Sequence, residues 1–274
     1  MSKLKEVIIR QVWTYNLEYE FNLIRQAIHQ HPVVSMDTEF PGVIHSPKIH
    51  CHYLQPYDNY YYLKANVDEL KLIQFGLTLT DIKGNLPDFG SNNTYIWEFN
   101  FRDFDVNHDP CNQDSIHMLC RQGIDFNRNF RNGVDSIRFA ELMFSSGLVF
   151  NKSVMWITFS GAYDFGYLVK ILTQKNLPNR LEDFLNNVEV LFGKKVIDMK
   201  HMMKFCNFLH GGLERVATTL NVSRVVGKFH QAGSDSLLIG QTFRKLIENL
   251  IIINKKVPDL KDYAGVLFGL EIVV

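Results

Sequence analysis

Two acidic residues, Asp37 and Glu39, stand two positions apart in an apolar stretch that has the pattern of a short β-strand. The stretch spans residues 31–42 and is bracketed by Pro32 and Pro41. Because side chains alternate along a strand, both acids lie on one face and apolar side chains cover the other. Neighbouring carboxylates repel each other and are best tolerated beside a cation, a proton or open water. The stretch alone leaves open whether it is a metal site or an edge strand with solvated acids.

A third acid, Asp164, follows residues 154–159, which form a nearly continuous apolar run. Such a run is typical of a strand buried on both faces, and the turn after a buried strand is where open sheets present functional groups. The structural alternative is that Asp164 only caps the helix that begins there, since aspartate is a favoured N-cap residue.

The fourth acid, Asp235, comes five residues after His230, near the predicted start of the last long helix. Histidine titrates near neutral pH and is a frequent general base. A carboxylate in the first turn of a helix can also do no more than stabilise the helix dipole, and His230 can be a loop residue without a task. Each residue alone therefore fits a structural role, and only the combination of all five indicates chemistry.

The elements that must position these residues follow from the spacing of apolar side chains. Helices are predicted from Asn16 to Ile28 and, later in the chain, over 113–122, 136–146, 164–177, 180–193, 213–220 and 234–249. Further strands are predicted over 70–80, 94–101, 154–159 and 196–197. A meander of strands followed by alternating strands and helices predicts an α/β fold, with a central mixed β-sheet flanked by α-helices.

Three details of this prediction bear on the site. The strands over 70–80 and 94–101 are predicted to be antiparallel partners of the first strand, and residues 179–182 have the form of a helix capping box. Residues 43–63 show no clean period and are predicted to be an irregular excursion at the surface. No linker or internal repeat divides the chain, so a single domain over residues 5–272 is expected.

The five candidate residues together resemble the DEDD superfamily of 3′-to-5′ exonucleases in its histidine subtype. In the tyrosine subtype a tyrosine would stand at the position of Gln231. Longer motifs narrow the resemblance to the CAF/POP-type deadenylases, which are catalytic subunits of the CCR-NOT complex. The matching segments are 36–42, 66–68, 72–78, 162–168, 211–213 and 230–238. The resemblance runs from about residue 6 to residue 270 and, in details at 227–228 and 264–267, is strongest to the plant branch.

The resemblance implies an RNase H-like (DEDD exonuclease) fold and a poly(A)-specific 3′–5′ exoribonuclease that releases 5′-AMP. The implied metal ligands are Asp37, Glu39, Asp164 and Asp235, and the implied catalytic set is these four together with His230. It further implies that the partners are the poly(A) tail of mRNA, a scaffold subunit and a second nuclease subunit, and that the protein resides in cytoplasm and nucleus.

Elementary electrostatics agrees with this ligand set. Four converging carboxylates repel each other by roughly 3 kcal/mol per pair at an effective dielectric of about 20. In total that repulsion exceeds the usual stability of a domain, about 5 to 15 kcal/mol. Two divalent ions neutralise four carboxylates, and an all-oxygen set suits Mg²⁺ or Mn²⁺. Such an ion pair supports phosphodiester hydrolysis, in which His230 is expected to accept the proton of the attacking water.

Composition sets the remaining bounds. The chain has 274 residues, 46% of them hydrophobic, and 29 basic residues balance 29 acidic ones, so no bulk positive charge indicates a nucleic-acid partner. We expect neither a secretory signal nor a membrane-spanning segment, because the first ten residues have only a three-residue apolar run and no stretch approaches the length of a membrane span. The four cysteines lack C-x-x-C spacing in a chain too long to need disulfides, so we expect no disulfides and a reducing compartment.

Other residue clusters are weaker candidates for a site. Zinc is not expected, because paired-ligand spacing is lacking in two groups: His45, His50, Cys51, His52 and Cys111, His117, Cys120. The tyrosines at 57, 60, 61 and 62 could stack on bases, although surface tyrosines beside a sheet are common. Where the family usually has histidine and serine, this chain has Ser160 and Gly161, a departure that leaves the metal ligands intact and bears on how RNA is positioned.

Two other functions share these sequence features. A related exonuclease that acts on DNA or on other RNA 3′ ends would use the same five residues. A catalytically weak adaptor subunit would retain the fold for binding alone, and the presence of all five residues argues against it.

Overall fold

The computed structural model describes residues 5–47, 54–206, 208–254 and 258–272. Six strands in this part of the chain pair into one mixed sheet in the order β1-β4-β3-β2-β5-β6. The strands are β1 (Glu6–Val12), β2 (Val33–Glu39), β3 (Gln74–Thr80), β4 (Asn93–Asn100), β5 (Met155–Thr158) and β6 (Val196–Asp198). The pairs β1–β4, β2–β5 and β5–β6 are parallel, and β3 is antiparallel to β2 and β4.

The described helices surround this sheet. They are α1 (Leu17–Ala27), α2 (Pro56–Glu69), α3 (Gln113–Gln122), α4 (Phe126–Asn132), α5 (Ser136–Ser145), α6 (Ala162–Thr173), α7 (Leu181–Phe192), α8 (Met199–Met202), α9 (Leu213–Thr219) and α10 (Ala232–Asn254). The predicted mixed sheet flanked by helices is therefore confirmed. That residues 5–272 form a single domain stays a prediction.

The two faces of the sheet pack against different helices, and the alternating side chains of β2 identify the helices on each face. Val34 and Met36 point into the larger core, which also contains the apolar faces of α1, α2, α5, α6 and α7. Ser35, between them, abuts α10: a Cβ at Gly240 of that helix would lie 2.6 Å from the Ser35 hydroxyl. Odd-numbered residues of β2 therefore face α10, and even-numbered residues face α6.

Residues 56–69 correct one prediction, because they form the regular helix α2 rather than an irregular excursion. Pro56 occupies the first turn, and Gln55 and Asp58 form a reciprocal capping box. The sequence shows no clear helical period here because tyrosines occur on several sides of the helix, although only one side is buried. Residues 43–47 do lack regular structure, and 48–53 lie outside the described residues.

The pairing of the strands corrects a second prediction. Only β3 is an antiparallel partner of β2; the other neighbour of β2 is β5, which runs parallel to it. The strand over 93–100 pairs with β3 on one side and with β1 on the other. Residues 6–12 were not predicted as a strand, since β1 is a mostly half-exposed edge strand with little alternation.

The remaining predicted elements match closely at most boundaries. Strand β3 begins at Gln74 rather than at residue 70, and the short helix α4 was missed. The helix over 181–192 is present, but its N-cap is Arg180 and no side chain caps it, so the capping box predicted at 179–182 is wrong. Cys111, Cys120 and Cys206 are free, and Cys51 lies outside the described residues. None of the described helices combines the length and apolar character needed to cross a membrane.

Candidate active site

The carboxyl end of β2 forms the centre of the candidate site. Asp37 and Glu39 both lie on the face of the sheet that packs against α10. The two acids line a cleft of about 820 Å³, together with His230 and Asp235. The strand therefore presents one acidic face to an open cavity, as the alternation in the sequence predicted.

Asp164 reaches the site from the opposite face of the sheet, in the first turn of α6. It does not line the cleft itself. The hydroxyl of Thr38, on the α6 side of β2, donates a 2.6 Å hydrogen bond to Asp164 Oδ1, and both residues are buried. Thr38 thus fixes Asp164 behind the strand that carries the other two acids.

Asp235 and His230 are joined by a hydrogen bond that explains their spacing. The backbone N–H of His230 donates to Asp235 Oδ2 at 2.8 Å, so the carboxylate in the first turn of α10 holds the loop before the helix. His230 adopts a left-handed backbone with φ of 56°, which directs the chain sharply into the helix. Its ring is 47% exposed, and Nδ1 lies 3.8 Å from Glu39 Oε1.

The structure brings three of the five predicted residues into one tight group. Potential ligand atoms of Glu39, His230 and Asp235 lie within 4.8 Å of one another, and within the described ranges no other three His, Cys, Asp or Glu residues meet this way. Asp37 and Asp164 lie outside this group. Their charges nonetheless interact with it, because the pKa of Asp37 is raised by Asp164, Asp235 and Glu39 as well as by burial.

Burial disfavours ionisation of all four acids, and repulsion by the other acids of the site adds to it at Asp37 and Glu39. Burial is the largest cause in each case, and it raises the pKa of Asp37 and of Glu39 well above the ordinary range. Burial raises the pKa of Asp164 to about 7, although the Thr38 hydrogen bond acts in the opposite direction. The pKa of Asp235 is also raised by burial, and Arg224 opposes that shift.

Arg224 supplies one positive charge to the site. Its guanidinium donates to Asp235 Oδ1 at 2.5 Å and also contacts Glu214 and the Ser234 hydroxyl. Among the ion pairs of the described residues, the other contact to the four acids is that of His230 with Glu39. Asp37 and Asp164 have no ion pair within the part of the chain that the structure describes.

This donor set fits divalent cations. The four carboxylates come from one strand and two helices, and three of them line a partly open cleft. One arginine balances them, so the positive charge that the described residues supply is too small. Oxygen donors suit Mg²⁺ or Mn²⁺, and one imidazole lies beside them. Glu39 and Asp235, with ligand atoms in the tight group, are the clearest candidate ligands.

Four residues that matter to this geometry escaped the sequence analysis: Thr38, Glu98, Asp198 and Arg224. Thr38, Glu98 and Asp198 act through contacts with residues far away in sequence; Thr38 and Asp164, for example, are 126 positions apart. Arg224 contacts Asp235, which is 11 positions away. Asp198 is fully buried and accepts four backbone N–H groups, two of them from Ser160 and Gly161. An acid at the end of a short buried strand is the signal that could have indicated Asp198.

The departure at Ser160 and Gly161 lies in the turn between β5 and α6. Ser160 is exposed, has a φ of 64° and is not among the residues that line the cleft. A Cβ at Gly161 would lie 2.2 Å from the hydroxyl of the buried Thr158, so this turn needs glycine there. The departure therefore shapes the base of α6, which carries Asp164, rather than the cleft wall.

The zinc candidates do not assemble into a site within the described residues. His45 pairs with Glu69 at 2.6 Å, and Cys111, His117 and Cys120 form no metal-binding group. His50, Cys51 and His52 lie outside the described residues. Tyr60 is buried and donates to the Pro178 carbonyl, and the role of the neighbouring tyrosines in base stacking stays a prediction.

Comparison with known proteins adds independent evidence. The profile of the CAF1 family ribonucleases matches residues 12–142. A protein of Arabidopsis thaliana, probable CCR4-associated factor 1 homolog 7, is 51% identical over 269 residues, which cover 96% of this chain and 94% of that protein. The chain belongs to the CAF1 family of ribonucleases. The predicted family is thereby confirmed.

Other members of the CAF1 family place the chain within it. The poly(A) ribonuclease pop2 of Schizosaccharomyces pombe is 44% identical over 86% of this chain and 68% of that protein. The lower identity to the yeast protein than to the Arabidopsis protein confirms the predicted similarity to the plant branch.

Solved structures of CAF1 family members share the fold. The structure of S. pombe Pop2p with Mg²⁺ and Mn²⁺ bound has a TM-score of 0.85 and 40% identity, and covers 96% of this chain and 99% of that one. A chain in the structure of the yeast NOT1 MIF4G domain co-crystallised with CAF1 has a TM-score of 0.76 and 34% identity, over 95% and 96% of the two chains. The predicted RNase H-like fold of the DEDD exonucleases is confirmed.

Proposed function

We propose that this protein is a poly(A)-specific 3′–5′ exoribonuclease that shortens mRNA tails and releases 5′-AMP. The single observation that carries the proposal is the convergence of Glu39, His230 and Asp235 at an open cleft. Asp37 lines the same cleft, and Asp164 lies behind it. The name of the S. pombe relative, a poly(A) ribonuclease, supports the choice of substrate.

Two divalent cations would be held by the four carboxylates of the site. The metal-bound form of S. pombe Pop2p supports Mg²⁺ or Mn²⁺ as the ions. When bound, they would polarise the scissile phosphate and acidify the attacking water. The proposed ligands are Asp37, Glu39, Asp164 and Asp235.

The protein groups have separable tasks in this reaction. His230 would accept a proton from the attacking water, since its exposed ring stands in the cleft beside Glu39. The water oxygen bonds to phosphorus, and the bond from phosphorus to the O3′ of the preceding nucleotide breaks. That O3′ then takes a proton from solvent, so the products are 5′-AMP and a chain that is one nucleotide shorter with a new 3′ hydroxyl.

The cleft also suits a single-stranded nucleic acid. Phe40, Phe159 and Phe229 are among its lining residues, and Phe229 is 48% exposed. Open aromatic rings stack on bases, at about 1–3 kcal/mol per base. Arg215, which also lines the cleft, would provide positive charge for the phosphate backbone.

We further propose that the protein works as a subunit of the CCR-NOT complex, with a scaffold subunit and a second nuclease as partners. The structure of yeast CAF1 with the NOT1 MIF4G domain supports the scaffold partner. The proposed residence is cytoplasm and nucleus, which fractionation of cells that express the tagged protein can test.

A substrate panel tests the proposed activity. A 5′-labelled RNA with an oligoadenylate tail is incubated with the purified protein and Mn²⁺ or Mg²⁺, beside matched substrates with an oligouridylate tail or a DNA tail. We expect stepwise loss of adenylates that stops at the tail border, release of 5′-AMP, and no product with a chelator.

Controls identify the residues responsible. Asp37→Asn and His230→Ala, each with the wild-type circular dichroism spectrum, should abolish or strongly reduce shortening. Equal degradation of all tails would instead indicate a general 3′ exonuclease. Preference for the DNA tail would indicate a DNA exonuclease, and the absence of product from every substrate would indicate an adaptor.

A further inference from the structure

A buried acid that the proposed reaction does not use, Glu98, lies in the sheet beneath the first turn of α10. It is 3% exposed and belongs to β4. Its carboxylate accepts three hydrogen bonds: from Gln11 Nε2 at 2.7 Å, from Gln74 Nε2 at 3.3 Å and from the backbone N–H of Gly233 at 2.8 Å. No ion pair reaches it among the described residues, so a buried carboxylate is balanced here by hydrogen-bond donors and a helix N-terminus.

The strand register places Glu98 in one row with Asp37. Gly76 of β3 lies between them, paired with Asp37 on one side and with Glu98 on the other. A Cβ at Gly76 would lie 1.8 Å from the Ala232 carbonyl oxygen. The first turn of α10 therefore rests directly on this glycine, with an acid on each side of it.

The next row of paired residues across the sheet, which contains Gln74 and Asn100, completes a polar network around the first turn of α10. Gln74 donates to Asn100 Oδ1 at 2.8 Å and accepts from the Ala232 N–H at 3.4 Å, and Asn100 donates to Gln11 Oε1 at 2.9 Å. Glu98, Gln74 and Asn100 are each less than 5% exposed. Buried polar networks whose members are all bonded hold one geometry, because every alternative leaves a group unsatisfied.

We propose that Glu98 is a positioning residue, which fixes the first turn of α10 and thereby places Asp235 and His230 opposite Glu39. Asp235 lies two residues after Gly233, and its carboxylate in turn holds the His230 N–H. The role of Glu98 in docking α10 is independent of the reaction; its effect on cation affinity and turnover rests on the proposed function.

Hydrogen exchange tests the docking directly. Glu98→Leu leaves the buried Gly233 N–H without its acceptor, so the amides of residues 233–236 should exchange at least about tenfold faster than in the wild type. Glu98→Gln keeps an acceptor oxygen of the same reach, and its exchange there should stay within about threefold of the wild type. If E98L is insoluble, the same measurement on Gln74→Leu, which frees the Ala232 N–H, replaces it.

A second buried acid provides a matched control. Glu20 is 2% exposed, and its carboxylate accepts hydrogen bonds from the Arg10 guanidinium and from the indole N–H of Trp97. Trp97 is the residue before Glu98 in the sequence. Glu20→Gln removes a buried charge without touching α10. E20Q should lower the melting temperature without accelerating exchange at residues 233–236 or changing Mn²⁺ affinity.

Cation binding and kinetics separate positioning from general destabilisation. In E98L the Mn²⁺ affinity, measured by calorimetry without RNA, and kcat should each fall at least about tenfold, with KM changed less. The proposal would be overturned if the amides of residues 233–236 exchanged in E98L at the wild-type rate. It would also be overturned if their exchange were accelerated as much in E20Q as in E98L. A wild-type protein that neither binds Mn²⁺ nor cleaves RNA would overturn the proposed function and leave the exchange result to decide the role of Glu98.

Discussion

The four acids of the site differ in what compensates their charge. Asp235 has Arg224 and a backbone N–H, and Asp164 has the Thr38 hydroxyl. Among the described residues, the one ion-pair partner of Glu39 is His230, whose Nδ1 lies 3.8 Å from Glu39 Oε1, and Asp37 has none. Ionisation is therefore most disfavoured at Asp37 and Glu39, on β2, which is where added positive charge lowers the energy most.

Thr38 offers a test of the hydrogen bond that holds Asp164. Thr38→Val is close in shape and removes only the hydroxyl, so Asp164 keeps its place but loses a donor. We expect Mn²⁺ affinity to fall at least about tenfold, because a hydrogen bond to a charged group contributes about 1.5–3 kcal/mol. Calorimetric titration measures this loss.

Thr38→Ser is the control for that measurement, since it retains the hydroxyl. It should bind Mn²⁺ within about twofold of the wild type. Unchanged affinity in the valine variant would contradict the assigned role of Thr38.

The sequence was a better guide to which acids belong to the site than to the residues that surround them. The spacing of Asp37, Glu39 and the His230–Asp235 pair is local, so strand alternation and helix geometry give their directions. Thr38 and Glu98 act across elements, on partners that the chain order does not bring near. Such contacts require the strand order and register, which the sequence pattern predicted only in part.

At the scale of elements, the site depends on how α10 meets the sheet. That helix packs on β2 and β3, and α6 approaches β2 from the other side. The four acids therefore come from one strand and two helices on opposite faces. Movement of any one of these elements changes all the distances in the site.

The contact between Gly76 and α10 tests this dependence. In Gly76→Ala the new methyl group would overlap the Ala232 carbonyl, which is backbone and cannot rotate away. We expect a loss of about 1–3 kcal/mol or more in the free energy of unfolding and a fall in kcat of at least about tenfold. Denaturant titration and the tail-shortening assay measure the two effects.

Thr80→Ala at the partly exposed end of the same strand is the matched control. It should change neither quantity by more than about twofold or 0.5 kcal/mol. If G76A retained wild-type stability and activity, the helix would not rest on β3 as described.

The elements that sequence predicted poorly share a physical cause. The edge strand β1 is mostly half-exposed, and α2 carries tyrosines on several sides, so neither has a strong apolar period. The buried strand β5 and helix α10 have clear patterns and were predicted. Pairing of β4 with β3 rather than β2 depends on the parallel insertion of β5, which chain order alone does not specify.

At the scale of the whole molecule, the site lowers the stability of the cation-free protein. Its acids have raised pKa values in the folded state, Asp164 at about 7, against about 4 in the unfolded chain. The folded state thus holds more protons between about pH 4 and pH 7. Asp164 therefore makes the cation-free protein less stable as pH rises through that window, and the raised pKa values of the other three acids act in the same direction.

Cations should reverse this loss in a pH-dependent way. Above about pH 7 the Asp164 carboxylate is ionised and free to bind Mn²⁺, and at lower pH protons compete with the cation. At pH 8 we expect Mn²⁺ at about 100 times its Kd to raise the melting temperature by about 5–10 °C. The rise should be much smaller at pH 5.5; an equal rise at both values would contradict the burial of these acids.

The number of Mn²⁺ ions bound per chain tests the central claim most directly. Electron paramagnetic resonance of free Mn²⁺ during titration at pH 8, without RNA, counts the bound ions in the wild type and in Asp37→Asn and Asp235→Asn. The four-carboxylate site predicts two ions per wild-type chain and the loss of at least one in each variant that keeps its fold. A wild-type chain that binds no Mn²⁺, or variants that bind as many ions as the wild type with equal affinity, would contradict it.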